Sequence, residues 1–322
     1  MRKGIVLGSV ALSVLAAAGC GGESKPAEQR PSASTKSHAA PALTEAQART
    51  IFTNYERVNN EANAKVSDAL LRENETGPML EVDLVGNKRI RAKQEKKIKA
   101  FHYQNPQFFI PRDVSPAWFA VFAPVRGGKD KEFLVMVDTG GGKYKAAVGS
   151  WLAKGQKLPS IARGADGSAT AVTTGPALDV GTRLATYLTY TAARQKSPEK
   201  FASGPLTSTL GRDWAKSVLQ INSGNRWQGR TEWKARPQPV YALKTTDGGA
   251  LVLSAVVQGL RYTATKPDVW YKPSDDFLGL GPKRYYNRFT GEWLWTYGTY
   301  VPSTGLPSVV TSGAHAISAT GS

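Results

Sequence analysis

The chain contains one cysteine, Cys20, so no disulfide within the chain can brace its fold and a hydrophobic core must hold it unaided. The place of that cysteine constrains the chain further. Arg2 and Lys3 precede an apolar run, Ile5 to Ala18, of fourteen residues, short of the roughly 20 that a membrane-spanning helix needs. A positive start, a short apolar stretch and small residues at its end are the marks of an export signal. An exported chain with one unpaired thiol carries a reactive liability unless that thiol is consumed.

Ala17-Ala18-Gly19-Cys20 resembles a bacterial lipobox, in which the cysteine thiol takes a diacylglyceryl group as a thioether. The pattern prefers leucine where this chain has Ala17. The resemblance implies a signal peptide over 1–19, lipidation of Cys20 (with palmitate-type acyl chains) and anchoring at the outer face of the cytoplasmic membrane. A plain secretory signal that happens to end near a cysteine is the alternative. Residues 20–42 are rich in Gly, Ser, Ala, Pro, Lys and Glu. Such a stretch buries too little apolar surface to offset its ordering entropy, and it reads as a flexible tether.

The formal net charge is +17, two less once Arg2 and Lys3 leave with the signal. A basic balance points to nucleic acid or to an anionic surface. The export signal selects anionic lipid or wall polymer and argues against nucleic acid. Lys88, Arg89, Arg91, Lys93, Lys96, Lys97 and Lys99 crowd into twelve residues. They form either a solvated turn-and-strand face or an electrostatic contact with anionic lipid, where each basic residue near the surface contributes about 1 kcal/mol.

About 280 residues remain for folded structure, which favours two domains of ordinary size. Thr44-Glu45-Ala46-Gln47 is a capping box with Leu43 poised to pack on Ala48, and Ala48, Ile51, Phe52, Tyr55 and Val58 recur at helical spacing. A second helical piece spans Val66 to Glu73 and ends at Gly77-Pro78. The period then changes, and Glu81–Val85, Phe108–Pro111, Trp118–Val125, Phe133–Asp138 and Lys143–Leu152 read as strands. After a small, polar stretch the order repeats. A helix from Pro176 carries Val180, Leu184, Tyr187, Leu188 and Thr191 on one face. Further helical pieces start at Ser197-Pro198 and run from Leu206 to Val218. Strands follow at Trp227–Lys234, Val240–Thr245, Leu251–Tyr262, Val269–Lys272 and Glu292–Val301. Asp138-Thr139-Gly140 and Asp247-Gly248-Gly249 each read as a hairpin turn needing positive φ.

The expected fold class is therefore α+β, with two consecutive domains in which N-terminal helices pack on a curved antiparallel sheet. The expected bounds are 43–154 for the first domain, 155–175 for a linker, 176–303 for the second domain and 304–322 for a flexible tail. An internal duplication explains the repeated order, and two unrelated α+β units also fit it. Helices followed by a curved antiparallel sheet resemble the nuclear-transport-factor-type α+β cone. With Cys20, the Thr44 helix start and the Asp247-Gly248-Gly249 hairpin, the chain is also similar to streptomycete lipoproteins of unknown function, a resemblance that brings no active-site residues with it.

No catalytic constellation is legible, and no cofactor or metal is expected. The histidines, His38, His102 and His315, lie far apart in the sequence, and no Cys pair or HExxH spacing occurs. There is no Gly-x-Ser-x-Gly elbow. Asp138-Thr139-Gly140 imitates an aspartic-protease strand end, but that chemistry needs two such carboxylates and this motif occurs once. The positive feature is aromatic. Trp293, Trp295 and Tyr297 alternate along one strand and share a face, while Trp227, Trp233 and Trp270 come from neighbouring strands. They either fill the core or line a pocket for a sugar, peptide or lipid. The leading expectation is a non-catalytic binding or scaffolding lipoprotein of the envelope, with a ligand or an envelope protein as partner. The alternative is a small-pocket hydrolase acting on wall material through Asp83, Asp275, Asp276 or Glu292.

Overall fold

The computed structural model describes residues 43–93, 98–237 and 239–322; Cys20, the signal and the tether lie outside them. The fold is mixed α+β. Its helices are α1 (Glu45–Lys65), α2 (Asp68–Asn74), α3 (Gly77–Lys93), α4 (Val180–Ala192) and α5 (Leu210–Ser223). Its strands are β1 (Gln107–Phe109), β2 (Trp118–Pro124), β3 (Lys131–Asp138), β4 (Tyr144–Leu152), β5 (Trp227–Ala235), β6 (Tyr241–Lys244), β7 (Ala250–Ala264), β8 (Arg288–Val301) and β9 (Ser308–Gly321). All nine strands belong to one antiparallel sheet, ordered β1-β2-β3-β4-β9-β8-β7-β5 with β6 also on β7.

The capping box forms as the sequence demands: the Gln47 amide donates to Thr44 Oγ1 at 3.2 Å and the Thr44 amide to Gln47 Oε1 at 2.8 Å. Glu81–Val85, expected as a strand, lies inside α3 instead. Gly77-Pro78 opens this helix rather than closing the previous one, because proline's fixed φ and missing N–H suit a first helical turn. Ser197-Pro198 starts no helix, and Val269–Lys272 contributes only the bridge between Tyr271 and Tyr285.

Two expected boundaries are corrected by the sheet. Residues 304–322 are not a tail, since Ser308–Gly321 is β9, paired along its length with β8 and, at Thr311 and Ser312, with β4. The strand fits through volume complementarity: Trp293, Trp295 and Tyr297 on β8 lie opposite Ala316, Ala314 and Ser312. Residues 155–175 do not separate two domains either. They run along β6, with Ala162 N donating to Lys244 O and Val172 N to Ala242 O, both at 2.8 Å, and they bury Ile161 and Ala169 in a core shared by both halves.

That shared core explains why two independent cones do not form. Phe133, Val135 and Val137 on β3 pack with Tyr241, Leu243, Leu251 and Leu253 on β6 and β7. The other face of β3, through Leu134 and Met136, packs with Phe52 and Tyr55 on α1. Beyond β7 and β8, α4 contributes Val180, Leu184 and Leu188 against Val252, Val256, Trp295 and Tyr297. Strands β2 and β3 are thus covered on both faces, as their unbroken apolar runs require. The two Asp-Gly turns form as hairpins but at unmatched places. Asp138 joins the third and fourth strands of the first meander, whereas Asp247 joins β6 to β7 at the start of the second.

Candidate functional site

The aromatic residues divide between core and cavity. Trp295 and Tyr297 are core: their rings stack at 5.7 Å with 9° between planes, and Trp295 Nε1 donates to Gln258 Oε1 at 2.9 Å. Trp233 is buried on the same side, edge-on to Trp214. Trp270 is 49% exposed under the Arg284 guanidinium, 4.5 Å from its ring centre. Trp227 and Trp293 do meet in a cavity of about 520 Å³, walled also by Trp214, Tyr262, Tyr271 and Phe277. Strands β5, β7 and β8 supply one wall and α5 another. Both indole N–H groups, of Trp227 and Trp293, are buried without an acceptor among the described residues. Arg226, Ser217, Gln220 and Ser274 bring polar groups to this cavity, and no carboxylate lines it.

A second cavity, of about 340 Å³, opens between α1, α3, β3, β4 and the β8–β9 pair. The buried face of α1 carries Asn59 and Asn63 after Phe52 and Tyr55, and these amides face acids. Asn59 Nδ2 donates to Glu75 Oε1 at 2.5 Å and Asn63 Nδ2 to Asn59 Oδ1 at 2.8 Å. The Glu75 and Asp83 carboxyls lie near enough to shift each other's ionisation. Tyr103 donates to Glu132 Oε2. Space for Glu132 depends on Gly149, where a Cβ would meet Glu132 Oε1 at 2.6 Å. Burial, then the Asp83 charge, pushes Glu75 well above the usual carboxylate range. Burial also raises Asp83, against hydrogen bonding to Glu75 and Asn59. Burial raises Glu132 to about 7, with the Tyr103 hydroxyl pulling it down and the Asp83 charge pushing it up.

Of the carboxylates considered for hydrolysis, only Asp83 joins this group. Asp276 sits 3.9 Å from Arg89, Asp275 is exposed, and Glu292 accepts from Ser318 at 2.8 Å. Asp138 serves its turn, accepting from the Gly140 amide at 2.8 Å. His102 is a surface ring on Glu56 at 2.8 Å. The sequence reading missed Glu75, Glu132, Tyr55 and Tyr103; the one available signal was Glu132, an acid opening the apolar run of β3. Among the described residues no group of three His, Cys, Asp or Glu side chains is placed to hold a metal ion.

Lys88, Arg89, Arg91 and Lys93 lie on the last turns of α3, not on a turn-and-strand face, and Lys99 follows beyond the helix. There positive charge complements the helix dipole. Arg91 grips the Asp68 carboxylate at 3.0 and 3.2 Å, and Arg89 is partly buried beside Asp276. Lys88 and Lys99 are exposed. Lys96 and Lys97 lie outside the described residues, as does the side chain of Lys93.

The structure is an α+β protein with one antiparallel sheet, and among its cavities one is aromatic and another acidic. Residues 39–321 match the model of a family described as "Domain of unknown function (DUF8094)", and the chain belongs to that family. It is similar to an uncharacterized lipoprotein of Streptomyces coelicolor, with 33% identity over 278 residues, 77% of this chain and 74% of the relative. No solved structure matches. No described helix is long and apolar enough to cross a membrane.

Proposed function

We propose that this protein is a lipid-anchored lipoprotein of the outer face of the cytoplasmic membrane that binds wall glycan in its aromatic cavity without transforming it. The signal-like start, Cys20 and the lipoprotein name of the Streptomyces relative support the anchor. The observation that carries the binding reading is the convergence of Trp214, Trp227, Tyr271 and Trp293 on one cavity with no carboxylate among its lining residues. Trp214, Tyr271 and Trp293, partly exposed at the cavity wall, offer aromatic surface to sugar rings, and the cavity volume lies in the range of small-ligand sites.

The test is tryptophan fluorescence of the full chain in non-ionic micelles, titrated with tri-N-acetylglucosamine. A saturable change is expected, lost in Trp293→Ala and weakened in Trp227→Phe, which keeps a ring but removes the donor. A flat titration, or an unchanged one in Trp293→Ala, overturns the reading. A second reading, a hydrolase acting on wall material, draws on the convergence of Asp83 with Glu75 and Glu132. Release of reducing ends from purified wall by wild type but not by Asp83→Asn would favour it.

A further inference from the structure

The acidic cavity is not used by the binding reading above, and its composition points to a different ligand. Glu75 is 0% exposed and Glu132 4%. None of Glu75, Asp83 and Glu132 forms an ion pair among the described residues. Acids buried without a counter-charge are costly unless they are neutralised or paired. A second observation is independent of the acids. The Tyr55 hydroxyl, on a residue 1% exposed that lines the cavity, has no partner, and neither has Glu75 Oε2. The acid oxygens of Asp83 and Glu132 and the Tyr55 residue thus border a space whose wall carries no basic Lys or Arg side chain.

We propose that this cavity binds an organic ammonium ion, its N–H groups toward Glu132, Asp83 and the Tyr55 hydroxyl and its apolar body against Met79, Val82 and Phe101. An ammonium presents three donors and no acceptor, the complement of an oxygen-lined site. A bare metal ion is the poorer match, because among the described residues no three acid, His or Cys side chains are placed to hold one. Aromatic and thioether walls suit the apolar part of such a ligand, since cations are attracted to ring faces. The exposed acid Asp130 stands at the cavity edge, where it draws cations inward.

Binding a cation here favours the ionised acids, so protons leave as the ligand enters. The titratable groups facing Glu132 are Tyr55 on α1, Glu75 after α2, Asp83 on α3, Tyr103, Asp130 and, on β9, His315. Arg89 stands near His315 and, with burial, holds that imidazole below its ordinary range. Neutral His315 therefore adds no cation near pH 7, and the carboxyls set the pH dependence.

The experiment is calorimetric titration of the full chain in non-ionic micelles with 2-phenylethylammonium chloride, with 2-phenylethanol as the uncharged counterpart. Saturable binding is expected for the amine alone, at least tenfold tighter at pH 8 than at pH 6, with proton release read from buffers of different ionisation enthalpy. Glu132→Gln should weaken binding tenfold or more and flatten its pH dependence. Ile98→Trp, at a rim residue 40% exposed, should obstruct entry without touching the buried acids. Trp293→Ala, in the other cavity, should bind the amine like wild type, which separates this site from the glycan site. No binding of the amine to folded wild type at pH 8 overturns the proposal, as does equal binding of the alcohol or wild-type affinity in Glu132→Gln.

Discussion

Replacing Trp295 by alanine removes a ring that is 8% exposed and stacked on Tyr297. Truncating a buried tryptophan costs about 3–5 kcal/mol. The loss also strips Gln258 Oε1 of its donor, while Gln258 Nε2 keeps Thr231 Oγ1 at 3.0 Å. Gln258 is 0% exposed, so water does not replace that donor, which adds about 1–3 kcal/mol. With roughly 2 cal/mol/K of unfolding entropy per residue over about 280 folded residues, the combined loss of about 4–8 kcal/mol corresponds to a fall in Tm of about 7–14 °C. Trp295→Phe isolates the hydrogen bond and should lower Tm by about 2–5 °C. Trp293→Ala, at the cavity wall, should cost less than half as much as Trp295→Ala. Differential scanning calorimetry of the three variants, with acrylamide quenching to report exposure, checks the order. Equal losses at Trp293 and Trp295, or a Trp295 ring open to acrylamide, would refute the division of these rings between core and cavity.

Two further expectations concern the acids and the anchor. Glu132 has its folded pKa raised to about 7, above the unfolded value near 4.3. Its contribution is therefore complete below about pH 4 and lost as pH rises through 7, by about 4 kcal/mol at most. Neutral His315 opposes this only below its unfolded pKa near 6.5, so wild type should gain Tm between pH 8 and 6.5, and Glu132→Gln should show a flatter profile. A wild-type Tm that falls over that interval would contradict the burial of a protonatable acid. For the anchor, Cys20→Ala should move the protein from the membrane fraction to the medium or leave it uncut; membrane retention of a correctly cut variant would refute lipidation. The released Cys20→Ala chain then tests the basic cluster. Binding to acidic vesicles should weaken with salt and vanish when Lys88, Lys93, Lys96, Lys97 and Lys99 become glutamine, whereas equal binding would return them to solvated surface.

Local chemistry was legible in the sequence wherever neighbours along the chain decide the outcome. The capping box at Thr44, the stripe of α4, both Asp-Gly hairpins and the shared face of Trp293, Trp295 and Tyr297 all follow from short-range spacing and backbone sterics. The same reasoning failed where the partner is distant. Glu81–Val85 alternates like a strand, but α3 is set by Pro78 at its start and by what its faces meet. Small residues from Ser308 to Gly321 read as a tail because nothing local shows that they must lie beside the rings of β8. The runs of β2 and β3 did announce burial on both faces. What covers the second face was decided by β6 and β7, more than a hundred residues away in the chain. The acidic cavity is the extreme case. Glu75, Asp83 and Glu132 are unremarkable acids in sequence, and only the packing of α1, α3 and β3 buries Glu75 and Glu132 and sets half-buried Asp83 beside them, where burial and mutual repulsion change what each carboxyl can do.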